Sequence, residues 1–273
     1  MSAVWRYDGR RVVVTGCSSG MGQATAAELA DLGAEVIGLD IKAPSVAVKE
    51  FVETDLSDPE SIEAAAGHIA GGGAVDALFN CAGLPNTFPG QQVMLVNFVG
   101  PRHLTEQLIP HMKPGAAIAG ISSVAGLAFL ENMGTVMELL AIPGFAEAKA
   151  WCEAHDDKVA EGYSFSKQCI IVYTMQRSFT LAQQGIRINC TSPGPTDTPM
   201  MPHFEQAMGT EYMHNFPKPI GRNARPEEQA YPLIFLNSDA ASYVTGHNLF
   251  TDGGFVGAIM TGQIDPSVLV PAS

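Results

Sequence analysis

The sequence predicts an α/β fold, a doubly wound parallel sheet of about seven strands in one domain over residues 1–273. Three observations carry this expectation. Short apolar runs alternate with helix-patterned segments. The runs are continuously hydrophobic, as strands buried on both faces are. A glycine-rich turn joins the first run to the first helix. With 46% hydrophobic and 16% charged residues, the chain has ample material for a large core.

In chain order, RVVVT (11–15) reads as the first strand and QATAAELADLG (23–33) as a helix closed by Gly33. EVIGLD (35–40) and FVE (51–53) follow as strands, then a helix with Asp58 as cap and Pro59 at its first position, then the strand DALFN (76–80). AAIAGIS (116–122), IRINCTS (186–192) and HNLFT (247–251) complete the set, each after a helix-like segment. Two segments interrupt the alternation. Residues 131–162 read as a small helical insertion: Met133, Val136, Met137 and Leu140 fit one helical face, Phe145, Ala148 and Cys152 another, and Pro143-Gly144 separates them. Residues 198–225 form a Pro-punctuated, Met-rich and aromatic segment, long enough for a lid.

The formal net charge of −13, from 28 acidic and 15 basic residues with no basic run, argues against nucleic acid or an anionic membrane as partner and for a small molecule. Five scattered cysteines suit buried thiols in a reducing compartment. Neither they nor the seven histidines show metal-ligand spacing, so no metal is expected. The longest uncharged run, residues 116–130, is 15 residues, short of a bilayer span, and the start lacks a secretory pattern. The expected setting is the cytoplasm.

Gly16, Gly20 and Gly22 lie where the first strand turns into the first helix. Without Cβ atoms, such a turn lets backbone N–H groups and the positive helix end approach a pyrophosphate. Asp40 ends the second strand 20 residues after Gly20, where a carboxylate accepts from an adenosine ribose. That carboxylate repels a 2′-phosphate, so NAD is favoured over NADP, with the cation Lys42 nearby. A purely structural glycine turn is the alternative. A P-loop is excluded, because no Gly-Lys-Ser/Thr follows. GCSSG also fits a nucleophile elbow with Ser18 as nucleophile, although no upstream strand-loop completes an oxyanion hole and Gly22 and Asp40 go unexplained.

Tyr163 and Lys167 are four residues apart at the start of a long helical run ending at Gly185, so they share a helix face. A neighbouring cation favours phenolate and lowers a tyrosine pKa from about 10, which makes the pair a candidate general base. Two neighbours on a solvated face are the bland alternative.

Taken in order, TGCSSGMG, Asp55-Leu56, the NCAG of Asn80, Cys81, Ala82 and Gly83, Asn97, Ser122-Ser123, YSFSK, PGPTDT (193–198) and DGG (252–254) resemble the short-chain dehydrogenase/reductase family over nearly the full chain. The resemblance implies a Rossmann fold and a catalytic set of Asn97, Ser123, Tyr163 and Lys167. Tyr163 would exchange the substrate hydroxyl proton, and Ser123 would hydrogen-bond the substrate oxygen. Lys167 would hold the nicotinamide ribose and depress the Tyr163 pKa, and Asn97 would support a water leading from Lys167 to solvent. Ser123 is chosen over Ser122 because successive strand residues face opposite ways and the family's second serine is the usual one. The implied cofactor contacts are Gly16, Ser18, Ser19, Gly20, Met21 and Gly22 in the turn, Asp40 at the ribose, and Asp55 and Leu56 near adenine. Asn80 to Gly83 follow along the sheet end, then Tyr163 and Lys167, and Pro193, Gly194, Thr196 and Thr198 near the carboxamide.

Two departures stand out. Cys81 replaces a second Asn common in the family, putting a fold-stabilising side-chain hydrogen bond in doubt, and Ser123 and Tyr163 are 40 residues apart, an unusually long gap that the insertion fills. The combination is similar to the group of bacterial 3α-hydroxysteroid dehydrogenase/carbonyl reductases and coniferyl-alcohol dehydrogenases. The insertion is expected to border the substrate mouth and obstruct the helix face used for tetramers, which leaves a homo-oligomer, dimer rather than tetramer. A neutral surface embellishment is its other reading. Met200, Met201, Phe204, Met208, Tyr212, Met213 and Phe216 of the lid suit a broad apolar ligand, a steroid or an aromatic alcohol; packing within the lid itself is the alternative. The expected function is NAD-dependent hydride transfer to or from a hydrophobic secondary alcohol or ketone. An aromatic primary alcohol dehydrogenase, a nucleotide-responsive binding protein without turnover, and a Ser18 hydrolase are the rivals.

Overall fold

In the computed structural model, which describes residues 3–160 and 162–269, strand β1 (Arg11–Thr15) shows why its valines run without alternation. Val13 is buried in one apolar layer with Ile62, Leu104 and Val172, while Val12 and Val14 are buried in the other with Leu29 and Leu233. Both faces of the strand are therefore core.

The sheet continues with β2 (Glu35–Asp40), β3 (Glu50–Glu53), β4 (Val75–Asn80), β5 (Met112–Ile121), β6 (Arg187–Pro193) and β7 (Asn248–Thr251). The seven strands lie in the order β3-β2-β1-β4-β5-β6-β7, and every pair is parallel. Strand order reverses between β1 and β4, so the strands' carboxyl ends open a crevice there. Between β2 and β3 the chain crosses over without a helix, through residues 41–49. β5 begins at Met112, four residues before the expected start, with a register shift opposite Val75 and Ala77.

The helices are α1 (Gly20–Asp31), α2 (Pro59–Gly71), α3 (Gly90–Met94), α4 (Gly100–Leu108), α5 (Met133–Leu140), α6 (Phe145–Ala154), α7 (Asp156–Val159), α8 (Tyr163–Ala182), α9 (Met201–Met208), α10 (Thr210–Asn215), α11 (Pro226–Asn237) and α12 (Phe255–Met260). Local chemistry sets their ends. Asp58 accepts the Glu60 N–H and Pro59 begins α2, as expected, a cap worth about 1 kcal/mol. Gly33 and Gly185 take positive φ after α1 and α8.

The insertion is helical, formed by α5, α6 and α7, and it packs on α3 and α8. Phe145, Ala148 and Cys152 are buried as expected. On α5, Met133, Val136 and Leu140 pack on the core as expected, but Met137 is 40% exposed and Leu139 is buried in its place. The buried Arg102 guanidinium donates to the Leu139 carbonyl at 3.2 Å and so ties the end of α5 to α4. No helix among the described residues is long and apolar enough to cross a membrane.

Candidate active site

At the end of β1, Thr15 sets the floor of the crevice. Its Oγ1 accepts the N–H groups of Cys81 at 3.0 Å and Ala82 at 3.1 Å, tying the β4 loop to the glycine turn. This bond supplies a side-chain link to the loop where Cys81 departs from the family pattern, and the sequence reading missed it. Burial pushes the Cys81 thiol up to about 12, so it stays neutral.

Gly16 has φ +70, and a Cβ there would stand 2.7 Å from the Ala82 Cα. A Cβ on Gly22 would overlap the Gly16 carbonyl. Gly20 faces Thr198, the first residue of the lid segment. Ser19 caps α1 with no side-chain bond, so the helix's first N–H groups are left to a ligand. Asp40 accepts the N–H of Ser18 at 3.0 Å and that of Lys42 at 3.4 Å, which seats the turn beside a carboxylate. This cradle, built where side chains would collide, fits a dinucleotide.

The other expected cofactor contacts divide. Met21, Cys81, Gly83, Pro193, Gly194, Thr196 and Thr198 border the large cavity with Ser123, Tyr163 and Lys167. Asp55 holds Ser57 through its backbone N–H and hydroxyl, and the Leu56 side chain is buried in the core, so Leu56 offers a ligand only backbone. Asn80 donates to Thr105 at 2.9 Å, and its Oδ1 is buried without a partner beside a small cavity of about 30 Å³ that Asn97 and Ile121 also line.

Asn97 sits in a single π turn, Leu95–Val99, between α3 and α4; such turns re-aim side chains and recur at functional sites. Its Oδ1 accepts the Leu84 N–H at 2.6 Å and its amide donates to the Leu84 carbonyl at 3.0 Å and to Ser166 Oγ at 3.3 Å. A Cβ on Gly83 would lie 3.4 Å from Asn97 Oδ1 and 3.9 Å from Lys167 Nζ, so the three positions converge.

Lys167, 4% exposed, donates from Nζ to the Ile121 carbonyl at 2.9 Å and stands 5.4 Å from the Tyr163 ring centre. Burial brings its pKa down from 10.5 to about 8, leaving the ammonium mostly charged at neutrality. Both serines border the cavity, but the buried Ser122 hydroxyl is committed to the Lys167 carbonyl at 2.8 Å, whereas Ser123 accepts the Ala125 N–H at 3.1 Å.

The cavity measures about 400 Å³, and all seven expected lid residues line it. Phe204 stands edge-on to the Tyr163 ring at 5.1 Å. A backbone bridge between Thr196 and Ala224 pins the two ends of the lid segment. What the site offers is a titratable phenol beside a buried ammonium, facing an apolar chamber next to a dinucleotide cradle.

A short chain dehydrogenase model matches residues 10–135 and an enoyl-(acyl carrier protein) reductase model residues 156–256; most of the insertion falls between them. The chain is 34% identical to a coniferyl-alcohol dehydrogenase of a Pseudomonas species, over 90% of this chain and 96% of that one. It is also 34% identical to the 3-alpha-hydroxysteroid dehydrogenase/carbonyl reductase of Comamonas testosteroni, over 91% and 97% of the two chains. Among solved structures, the 3-alpha-hydroxysteroid dehydrogenase from Pseudomonas sp. B-0831 complexed with NADH superposes with a TM-score of 0.79 at 28% identity, covering 93% of this chain and 99% of that one. Fold, site and relatives agree that this chain belongs to the short-chain dehydrogenase/reductase family.

Proposed function

We propose that the protein is an NAD-dependent dehydrogenase that interconverts a hydrophobic secondary alcohol and its ketone. The single observation that carries this is the convergence of Tyr163, Lys167 and Ser123 on a chamber walled by Met and aromatic side chains. NAD, held by the glycine turn, Asp40 and Lys167, supplies the hydride acceptor. Tyr163 takes the hydroxyl proton during oxidation and returns it during reduction. Ser123 hydrogen-bonds the substrate oxygen, Lys167 favours the phenolate by its charge, and Asn97 holds the Leu84 loop against them. The choice of NAD over NADP rests on Asp40, whose carboxylate stands against a 2′-phosphate.

Steroid-like and aromatic alcohols suit the chamber's size and lining. The match to a coniferyl-alcohol dehydrogenase favours a second reading, oxidation of an aromatic primary alcohol. A homodimer fits the packing of the insertion over the α3 and α8 face, and five free cysteines fit a reducing cytoplasm.

A panel of steroid, aromatic and terpenoid alcohols, assayed with NAD and NADP side by side, tests the reading. Tyr163→Phe is expected to abolish turnover while NADH still binds, measured by cofactor fluorescence. Undiminished turnover by that variant contradicts the mechanism. NADH binding with no substrate in the panel turned over supports a binding protein instead.

A further inference from the structure

The proposed reaction employs Ser123, Tyr163 and Lys167 and leaves Gln168 without a task. Gln168 lines the same cavity and is 4% exposed. Its Oε1 accepts from Asn132 Nδ2 at 2.9 Å, and its own NH2 group donates to nothing among the described residues. That nitrogen is not sealed in the protein but open to the cavity, so it is a donor held ready for a ligand.

Asn132 sharpens the point. It occupies the N-cap position of α5, where asparagine is among the favoured residues, yet its side chain caps nothing. The side chain holds the Gln168 amide instead, with the carbonyl turned toward Asn132 and the NH2 left to the cavity. Asn86, which also borders this cavity, has its Oδ1 buried without a partner. An amide donor without a protein acceptor and an amide oxygen without a donor, both on the cavity and both unused by the proposed reaction, point to a ligand with more polarity than its reacting oxygen.

We propose that Gln168, positioned by Asn132, is a specificity residue that donates to a second oxygen of the substrate. Gln168 lies five residues beyond Tyr163, about 7.5 Å along the helix axis. One six-membered ring together with the hydrogen bond covers that axial offset, the two side chains leaving the helix about 140° apart and both bordering the cavity. The preferred substrate class is then an apolar alcohol or ketone with an oxygen acceptor one ring away from the reacting carbon. Asn132 opens the insertion, so the insertion serves substrate choice through this contact. This inference rests on the dehydrogenase reading above.

The test compares a matched pair, 1-cyclohexylethanol and 1-(tetrahydropyran-4-yl)ethanol, which differ by a ring methylene replaced with an ether oxygen. The wild type is expected to favour the ether by at least about tenfold in kcat/KM, chiefly through KM. Gln168→Leu is expected to remove that preference. Asn132→Asp, which accepts from the glutamine NH2 and so turns its carbonyl toward the cavity, is expected to remove it as well. Equal kcat/KM for the two alcohols in the wild type overturns the inference and leaves the dehydrogenase reading standing. So does a loss in both variants by the same factor for both alcohols, as a merely structural role would give. Failure of the wild type to oxidise either alcohol or any member of the panel, with NAD or NADP, overturns both.

Discussion

The ammonium of Lys167 lies 5.4 Å from the ring centre of Tyr163 while donating to the Ile121 carbonyl at 2.9 Å, so it is anchored to the sheet and directed at the phenol's side of the cavity. In the proposed reaction its charge favours the Tyr163 phenolate, and burial has brought its own pKa down to about 8. The cation is present below that value and lost above it. In ketone reduction, kcat/KM for NADH, which reports the free enzyme, is therefore expected to fall roughly tenfold per pH unit above about 8. Initial rates with saturating ketone between pH 6 and 10 check this; a profile flat to pH 10 contradicts it.

The same shift has a consequence for stability, with its sign fixed by linkage. A lysine whose folded pKa lies below its unfolded value destabilises the fold while protonated, most strongly below the folded pKa. Between about 8 and 10.5 the unfolded chain binds the extra proton, so stability rises with pH. The gain is about 3 kcal/mol at 1.36 kcal/mol per unit. Urea denaturation of the apoprotein at pH 8 and pH 10.5 should show the wild type gaining that much relative to Lys167→Met. An unchanged difference between the two proteins refutes the depressed pKa.

Gly162, immediately before Tyr163, has φ +71, and a Cβ there would lie 2.5 Å from the Gly90 carbonyl oxygen and 2.8 Å from its Cα. A Cβ on Gly90 would in turn collide with the Val159 carbonyl. The two glycines thus let the first turn of α8 seat against the start of α3. Gly162→Ala combines a left-handed backbone with a backbone clash, an expected loss of roughly 2 kcal/mol or more. It also displaces Tyr163, so kcat is expected to fall by about 100-fold while NADH affinity changes little. Urea denaturation and steady-state kinetics read the two effects; a variant with normal kcat leaves the glycine pair with a packing role only.

That glycine contact joins positions 72 residues apart in sequence, and nothing local announces it. The strands were legible because burial on both faces writes a continuous apolar run, and the glycine turn because a strand, a helix and Asp40 frame it. The seven lid residues that reach the cavity were legible for a similar reason: no helix could be closed around so many Met and aromatic side chains without a pocket or a packed core to receive them. Other choices depend on a partner. Periodicity placed Met137 on the buried face of α5, where tertiary packing against the rest of the core buries Leu139 instead. Thr15 looked like the end of a strand, and only the fold shows it holding the Cys81 and Ala82 amides. Nothing in the sequence pairs Asn132 with Gln168, 36 residues on; only the fold brings the two amides together.

Asp40 bears on the cofactor most directly. Its carboxylate accepts the Ser18 N–H at 3.0 Å and so puts a negative charge beside the glycine turn, where the adenosine ribose of a dinucleotide would lie. A 2′-phosphate brought there meets like charge, while free ribose hydroxyls meet an acceptor. Asp40→Ser removes the charge, retains a small polar group, and leaves Lys42 two residues away to attract the phosphate. The kcat/KM ratio of NAD to NADP is expected to fall by at least about 100-fold, since like-charge juxtaposition costs several kcal/mol. Steady-state kinetics with each cofactor at a fixed alcohol concentration measures it. A wild type that already prefers NADP, or a ratio untouched by the substitution, removes Asp40 from cofactor choice and leaves it only the task of seating the turn.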